Sequence, residues 1–282
     1  MPELPEVEFC RRALSRWTQG RTITQVEIAD PRVVRDSRTA RPSAGSALAA
    51  ECLRHVARHP IGLDRVGKRI LWRFEAGSLL LHLGMTGRWT RGPSAFPKVR
   101  LHLDSGDVLT FHDPRLLGGI VPFEDGRAAH AAFTADLGPD ALLASLPRLT
   151  GKRAVKLVLM DQTVVAGLGN VQAMEALWRA GIHPLRQADS IDAVEHVRLS
   201  DAVKRQLLGT LTMLGEGDEV VYVEERGAPN PFPLYQRAGE RCPQCAPAGR
   251  TSLIQHFRQG GRGTWWCPGC QGEPPRVAAD TG

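Results

Sequence analysis

Four cysteines, Cys242, Cys245, Cys267 and Cys270, form two C-x-x-C pairs separated by 21 residues. Four soft thiolates at this spacing are the donor set of one closed, structural Zn2+ site, with a redox or disulfide role as the alternative. The other two, Cys10 and Cys52, stand alone in apolar stretches and read as small buried hydrophobes. At the opposite end, Pro2 becomes the N-terminus once Met1 is removed, which exposes a secondary amine. An α-amino group has a pKa of about 8, so a useful fraction is unprotonated near neutrality. Such an amine can attack a sugar C1′ and leave an iminium, whose fixed positive charge is an electron sink for elimination. Glu3 and Glu6 lie three apart on one face of a helix start, one suited to act as acid and the other to hold geometry. Pro and Glu also suit a helix N-terminus with no chemistry at all.

Weaker candidates are scattered between these ends. The turn Val165-Ala166-Gly167-Leu168-Gly169-Asn170 joins two helical stretches, so its N–H groups can face an anion or simply make a tight connection. Lys68, beside a strand in Val66-Gly67-Lys68-Arg69, can reach a phosphate or solvate a sheet edge. Met85 sits between Gly84 and Gly87, where an apolar side chain can wedge into a base stack or belong to a core. Arg262, in Gly260-Gly261-Arg262-Gly263, lies at a hairpin tip between the cysteine pairs and can grip phosphate or water.

These residues need elements to hold them. Val7, Cys10, Leu14 and Trp17 make one helical stripe after Pro5 and before Gly20. From about Ile23 to Phe123 short alternating stretches and Gly or Asp-Ser-Gly turns predict a β-sandwich or barrel. After Gly126 the pattern turns helical, over Ala128–Ala135, Asp140–Leu146, Ala154–Met160, Val171–Arg179 and Ile191–Leu214. Gly215–Pro233, rich in Gly, Glu and Pro, reads as a flexible connection. The fold class is therefore α+β multidomain: a β-sandwich with an N-terminal helix over 1–125, a helical domain over 126–233, a cysteine module over 234–271 and a disordered tail over 272–282.

Composition agrees with a folded chain that meets a polyanion. The formal charge is +6, and between Arg226 and Cys270 six arginines face the single acid Glu240. No apolar run reaches the roughly 20 residues of a membrane span, and the start does not resemble a signal peptide, so a cytoplasmic location is expected.

Taken together and in order, these signals resemble the formamidopyrimidine-DNA glycosylase and endonuclease VIII family. The residues that carry the resemblance are Pro2-Glu3-Leu4-Pro5-Glu6-Val7-Glu8, the stretch Met160–Pro184 with its Gly167-Leu168-Gly169-Asn170 turn, and the closing Tyr235–Gln271 finger. The resemblance implies a helix-two-turn-helix domain and a β-hairpin zinc finger. Its implied activity is excision of a damaged base from double-stranded DNA, followed by β,δ-elimination at the abasic site, by a monomer associated with a bacterial-type nucleoid. It makes Pro2 the nucleophile, Glu3 the acid that opens the deoxyribose ring and Glu6 its support. Lys68, Asn170 and Arg262 become phosphate contacts around a flipped nucleotide, with Lys156 on the DNA-facing side.

The same resemblance exposes departures. Met85 and Arg115 match the family's gap-filling residues, but Leu117 stands in place of an aromatic wedge, Leu116 in place of a second Arg, and Gln172 in place of an aromatic after the glycine turn. Retention of Arg115, which in the family reads an orphaned cytosine, favours oxidised purines such as 8-oxoguanine over the oxidised pyrimidines of an endonuclease VIII-like enzyme. Two readings of other classes stay open: a non-catalytic damaged-DNA-binding homologue, and a zinc-ribbon protein of translation or transcription whose N-terminal motif is accidental.

Overall fold

In the computed structural model, residues 2–35, 47–218, 220–225 and 227–273 are described. The chain forms two compact units, Met1–Asp136 with Leu211–Ala228, and Leu137–Thr210 with Pro229–Gly282.

The first unit opens with helix α1, Leu4–Thr18, which starts behind the extended residue Glu3 and is followed by Gly20 at φ +66°. The expected stripe is buried: Val7, Cys10, Leu14 and Trp17 all enter the core. Among the described residues eight strands follow: β1 (Ile23–Ile28), β2 (Pro60–Val66), β3 (Arg69–Phe74), β4 (Gly77–His82), β5 (Arg88–Arg91), β6 (Pro97–Leu103), β7 (Val108–His112) and β8 (Gly119–Phe123). They make two antiparallel four-stranded sheets, ordered β1-β6-β7-β5 and β2-β3-β4-β8. Alternation along β6 buries Val99, Leu101 and Leu103 on one face, as a half-buried strand requires. Trp72 of β3 meets Trp89 of β5 edge-on at 5.8 Å, and Trp89 meets Phe111 of β7 at 5.3 Å, so aromatic contacts tie the two sheets into one sandwich core.

Two elements of this unit differ from expectation. Helix α2, Ala47–Val56, interrupts the stretch read as strands. Its inward residues Ala49, Ala50, Leu53 and Val56 have helical spacing, but two alanines give too weak an apolar signal to mark the face. The segment after Gly215, expected to be a flexible connection, packs on the sandwich instead. Val220 and Tyr222 are buried in its core, the Tyr222 hydroxyl donates to the Gly87 carbonyl at 2.6 Å, and the Trp17 ring N–H donates to Asp218 at 2.9 Å. Helix α3, Gly126–Thr134, capped by Asp125, belongs to this unit as well, because Ala129 and Phe133 bury against Leu71 and Phe123.

The second unit holds α4 (Val155–Leu159), α5 (Asn170–Arg179), most of α6 (Ala193–Leu214), the hairpin β9 (Gln255–Gln259) and β10 (Arg262–Trp266), and the short α7 (Pro268–Gln271). Asp140–Leu146, expected to be helical, is a set of turns. The Asp140 carboxylate accepts the N–H groups of Leu142 and Leu143, and Pro147 follows at once, which leaves no length for a helix. The cysteine module, expected to be separate from the helices, falls in the same compact unit as them. The tail from residue 274 onward lies outside the described residues. Among the described residues no helix is long and apolar enough to cross a membrane.

Candidate functional site

In the first unit the N-terminal residues are built into the helix start rather than trailing from it. Pro2 and Glu3 are buried. Glu3 and Glu6 form a reciprocal capping box: the Glu3 side chain takes the N–H of Glu6, and the Glu6 carboxylate takes the N–H of Glu3 at 2.9 Å. Burial, reinforced by the charge of Glu3, pushes the Glu6 carboxyl up to about 7, while the Glu6 and Glu3 N–H groups partly offset the rise. A carboxyl that holds its proton to near neutrality, four residues along the chain from Pro2, is equipped to donate and retrieve protons. Lys68 occupies the two-residue turn between β2 and β3, with Gly67 at φ +54° supplying the left-handed residue that such hairpins need.

Met85 and Arg115 sit on neighbouring loops that Asp113 binds together. Asp113 is fully buried. One carboxylate oxygen accepts from the Thr86 hydroxyl at 2.6 Å and the Arg115 N–H at 3.3 Å, and the other from the Gly118 N–H at 2.7 Å. Arg35 adds donations to the Leu117 and Gly118 carbonyls at 3.3 and 2.8 Å. Gly84 presses so closely on Leu117 that a Cβ there would lie 2.3 Å from its carbonyl carbon. The outcome is a rigid pair of loops presenting Met85 and Leu117, each 39% exposed, beside the exposed Arg115. Leu116 turns away at φ +53° and packs against the core.

The second unit gathers Lys156, Asn170 and the hairpin. Gln162 pins the glycine turn, donating to the carbonyls of Met160 and Leu168 and accepting the Gly167 N–H. Asn170, the first residue of α5, donates from its side-chain amide to the Gly263 carbonyl at 3.0 Å. Lys156, expected on a DNA-facing side, is 0% exposed, and its Nζ donates to the Thr264 hydroxyl at 2.7 Å. Both therefore fasten the hairpin. Arg262, next to the Gly260-Gly261 turn, is exposed. Gln172, in the place of an aromatic, is buried and accepts from Gln206 at 3.0 Å and Thr210 at 3.1 Å.

The four cysteine sulfurs lie within 4.8 Å of one another, with Cys242–Cys270, Cys245–Cys267 and Cys245–Cys270 at 3.5, 3.7 and 3.4 Å. An ion held tetrahedrally at about 2.3 Å by thiolates needs sulfurs about 3.8 Å apart, so the cluster can hold one metal ion. The Trp178 ring N–H donates to the Cys242 sulfur at 3.4 Å, an outer hydrogen bond of the sort that orients a ligand.

The sequence reading assigned no role to Asp113, Arg35, Gln162 or Thr264. Their importance lies in side-chain to backbone bonds across loops, and only Asp113, before a proline and five residues from a glycine, carried even a faint turn signal.

Known proteins fit this layout. The model of the formamidopyrimidine-DNA glycosylase N-terminal domain matches residues 1–120, and that of the formamidopyrimidine-DNA glycosylase H2TH domain matches residues 131–220. Formamidopyrimidine-DNA glycosylase of Syntrophotalea carbinolica is 36% identical over 287 residues, spanning 96% of this chain and 100% of that protein. Its counterpart in Geobacter metallireducens is 37% identical, with the same coverage. Among solved structures, the Fpg (MutM) protein of Thermus thermophilus superposes with a TM-score of 0.76 at 32% identity, covering 97% of this chain and 100% of that one. Lactococcus lactis Fpg in complex with DNA containing an abasic site gives 0.78 at 25% identity, covering 96% and 100%. With both domain models matched and relatives of this identity aligned along their whole length, the chain belongs to the formamidopyrimidine-DNA glycosylase family.

Proposed function

We propose that this protein is a bifunctional DNA glycosylase and abasic-site lyase of base excision repair, with Pro2 as its nucleophile. The observation that carries the reading is the N-terminal turn: in a chain of this family, a proline that follows Met1 precedes a capped helix start bearing two paired carboxyls. After Met1 is removed, the Pro2 nitrogen attacks C1′ of an extruded nucleotide. The bond from C1′ to the base breaks and the base leaves with its electron pair, taking up the proton that the proline nitrogen loses; the C1′–O4′ bond then breaks as O4′ is protonated, and the nitrogen lone pair forms the iminium at C1′. Loss of a C2′ proton feeds electrons into the iminium and expels the 3′ phosphate, and a second elimination releases the 5′ phosphate. Glu3 opens the deoxyribose ring by donating a proton, and Glu6 supports it as a second, partly protonated carboxyl.

Lys68 and Arg262 contact phosphates. Asn170 and Lys156 place the hairpin that carries Arg262, a role supported by their bonds to Gly263 and Thr264. Met85, Arg115 and Leu117 fill the space of the extruded nucleotide, and Arg115 favours oxidised purines such as 8-oxoguanine opposite cytosine. The ion at Cys242, Cys245, Cys267 and Cys270 is a single Zn2+, since a closed set of four thiolates suits a redox-inert tetrahedral ion. It supplies folding rather than chemistry. The protein acts as a monomer on damaged duplexes in the cytoplasm.

Borohydride trapping tests the reading. Untagged protein with Met1 removed is incubated with duplexes carrying 8-oxoguanine opposite cytosine, an oxidised pyrimidine, or an abasic site. The expected result is a covalent adduct mapped to Pro2, formed faster on 8-oxoguanine than on the pyrimidine, and abolished when an uncleaved N-terminal extension keeps the Pro2 nitrogen in an amide bond. Binding to all three duplexes with no adduct on any would identify a non-catalytic homologue.

A further inference from the structure

The interior of the first unit contains an ion pair that the proposed chemistry does not use. Glu8, on the second turn of α1, is buried, and so is Arg65 of β2, whose side chain is 3% exposed. Arg65 Nε donates to Glu8 Oε2 at 3.1 Å, while Nη1 of the same guanidinium donates to the carbonyl of Gly67 at 3.0 Å. Arg11 and Arg12 also donate to Glu8. Burial alone would raise the Glu8 carboxyl, but these guanidiniums hold it down to about 2, so it is an anion at every working pH. The Gly67 carbonyl belongs to the peptide that enters Lys68. Gly67 has no Cβ and sits at φ +54° in a two-residue turn, so the bond from Arg65 acts on a backbone that side-chain sterics restrict little.

We propose that Arg65 is a positioning residue for the reaction: its planar fork bridges the helix that carries Pro2 and the turn that carries Lys68, and fixes the lysine ammonium relative to the attacking amine. This rests on the function proposed above. A guanidinium is needed because two donors in one rigid plane must reach two acceptors on different elements, which a single ammonium cannot do. The surplus of cations around Glu8 fits this assignment. With Arg11 and Arg12 present, Glu8 keeps charged partners without Arg65, so the reach of Arg65 to Gly67 is what the other arginines do not duplicate.

The test is a single-turnover measurement of borohydride trapping on a saturating abasic duplex, with duplex affinity measured separately, for wild type, Arg65→Lys, Lys68→Ala and the double variant. Arg65→Lys keeps the charge against Glu8 and should lower the trapping rate on the order of tenfold, since small misplacements of a reacting group cost this much or more. Its duplex affinity should stay within about twofold, and the double variant should be no slower than Lys68→Ala alone, because both changes remove one device. An unchanged rate in Arg65→Lys, or multiplicative losses in the double variant, overturns the proposal. If Arg65→Lys does not fold, Glu8→Met, which removes the acceptor that Arg65 Nε uses on α1, must show the same fall in rate at constant affinity, and an unchanged rate overturns the proposal there too. Wild-type protein that traps no abasic duplex would sink the proposed function itself, a result distinct from any of these.

Discussion

The Glu6 carboxylate receives the Glu3 N–H at 2.9 Å while Glu3 caps the Glu6 N–H, so the two acids are locked to each other through the backbone. The lock confines two carboxyls to one turn, where burial and then the charge of Glu3 keep Glu6 protonated to near pH 7 against the two N–H groups, which favour its charged form. In the unfolded chain the same group would titrate near 4.5. Between those values the folded state holds more protons than the unfolded one, so Glu6 makes stability fall as pH rises from about 4.5 to about 7. The full effect is about 3 kcal/mol at most, and less because Glu6 is partly exposed. Glu6→Gln keeps an acceptor for the Glu3 N–H and removes the charge. Its unfolding midpoint, followed from pH 4.5 to 8, should decline less than that of wild type, and parallel profiles would show that Glu6 is not the titrating group.

Metal removal should act on the hairpin and spare the sandwich. Lys156 through Thr264 and Asn170 through Gly263 fasten β10 to the helices, and both reach a segment whose far end is closed by the cysteine cluster. Metal binding of this kind is folding free energy, on the order of 10 kcal/mol for a four-ligand site. Purified protein should carry one zinc per chain by elemental analysis, and Cys245→Ser should carry none. Amide exchange should then accelerate across Gln255–Trp266 and remain slow in β3 and β4. Exchange that stays slow in the hairpin without metal would mean that the aromatic contacts of Trp265 and Trp266 suffice.

How much of this was legible depends on where the information lies. Elements with a strong period, α1 with its Val7–Trp17 stripe and β6 with its alternating valine and leucines, could be read directly, as could the cysteine spacing. Helix α2 was hidden by alanines, and Asp140–Leu146 imitated a helix because composition alone does not reveal an aspartate folding back on its own backbone. The site residues were named from the sequence, but what holds them was not: Arg65 reaching Gly67 and Asp113 reaching Thr86 are contacts between loops, on which local pattern is silent.

Tyr222 offers a measure of the largest such omission. Its ring is buried in the sandwich and its hydroxyl donates to the Gly87 carbonyl, so a stretch rich in Gly and Glu supplies part of a core. Tyr222→Phe leaves that buried carbonyl without this donor and should cost about 1–2 kcal/mol, measured as a lower urea midpoint with the same slope. A loss below about 0.5 kcal/mol would indicate that the segment contributes little to the stability of the first unit.

Asp113 sets the sharpest demand on any replacement. Its two oxygens accept three donors, and Gly118 N–H and Thr86 hydroxyl approach from different loops. Asparagine at this position fits the space but has one acceptor and one donor group, so an amide N–H must confront either the Gly118 N–H or the donors on the other oxygen. Asp113→Asn should therefore cost about 1–3 kcal/mol and loosen the loops that present Met85, Arg115 and Leu117. If those side chains fill the space of an extruded nucleotide, adduct formation should slow more on an 8-oxoguanine duplex, where a stacked base must first be displaced, than on an abasic duplex. Zinc content should be unchanged, because the cysteine cluster lies in the other unit. Equal slowing on both duplexes would place Asp113 in the support of the Pro2 chemistry instead of in base displacement.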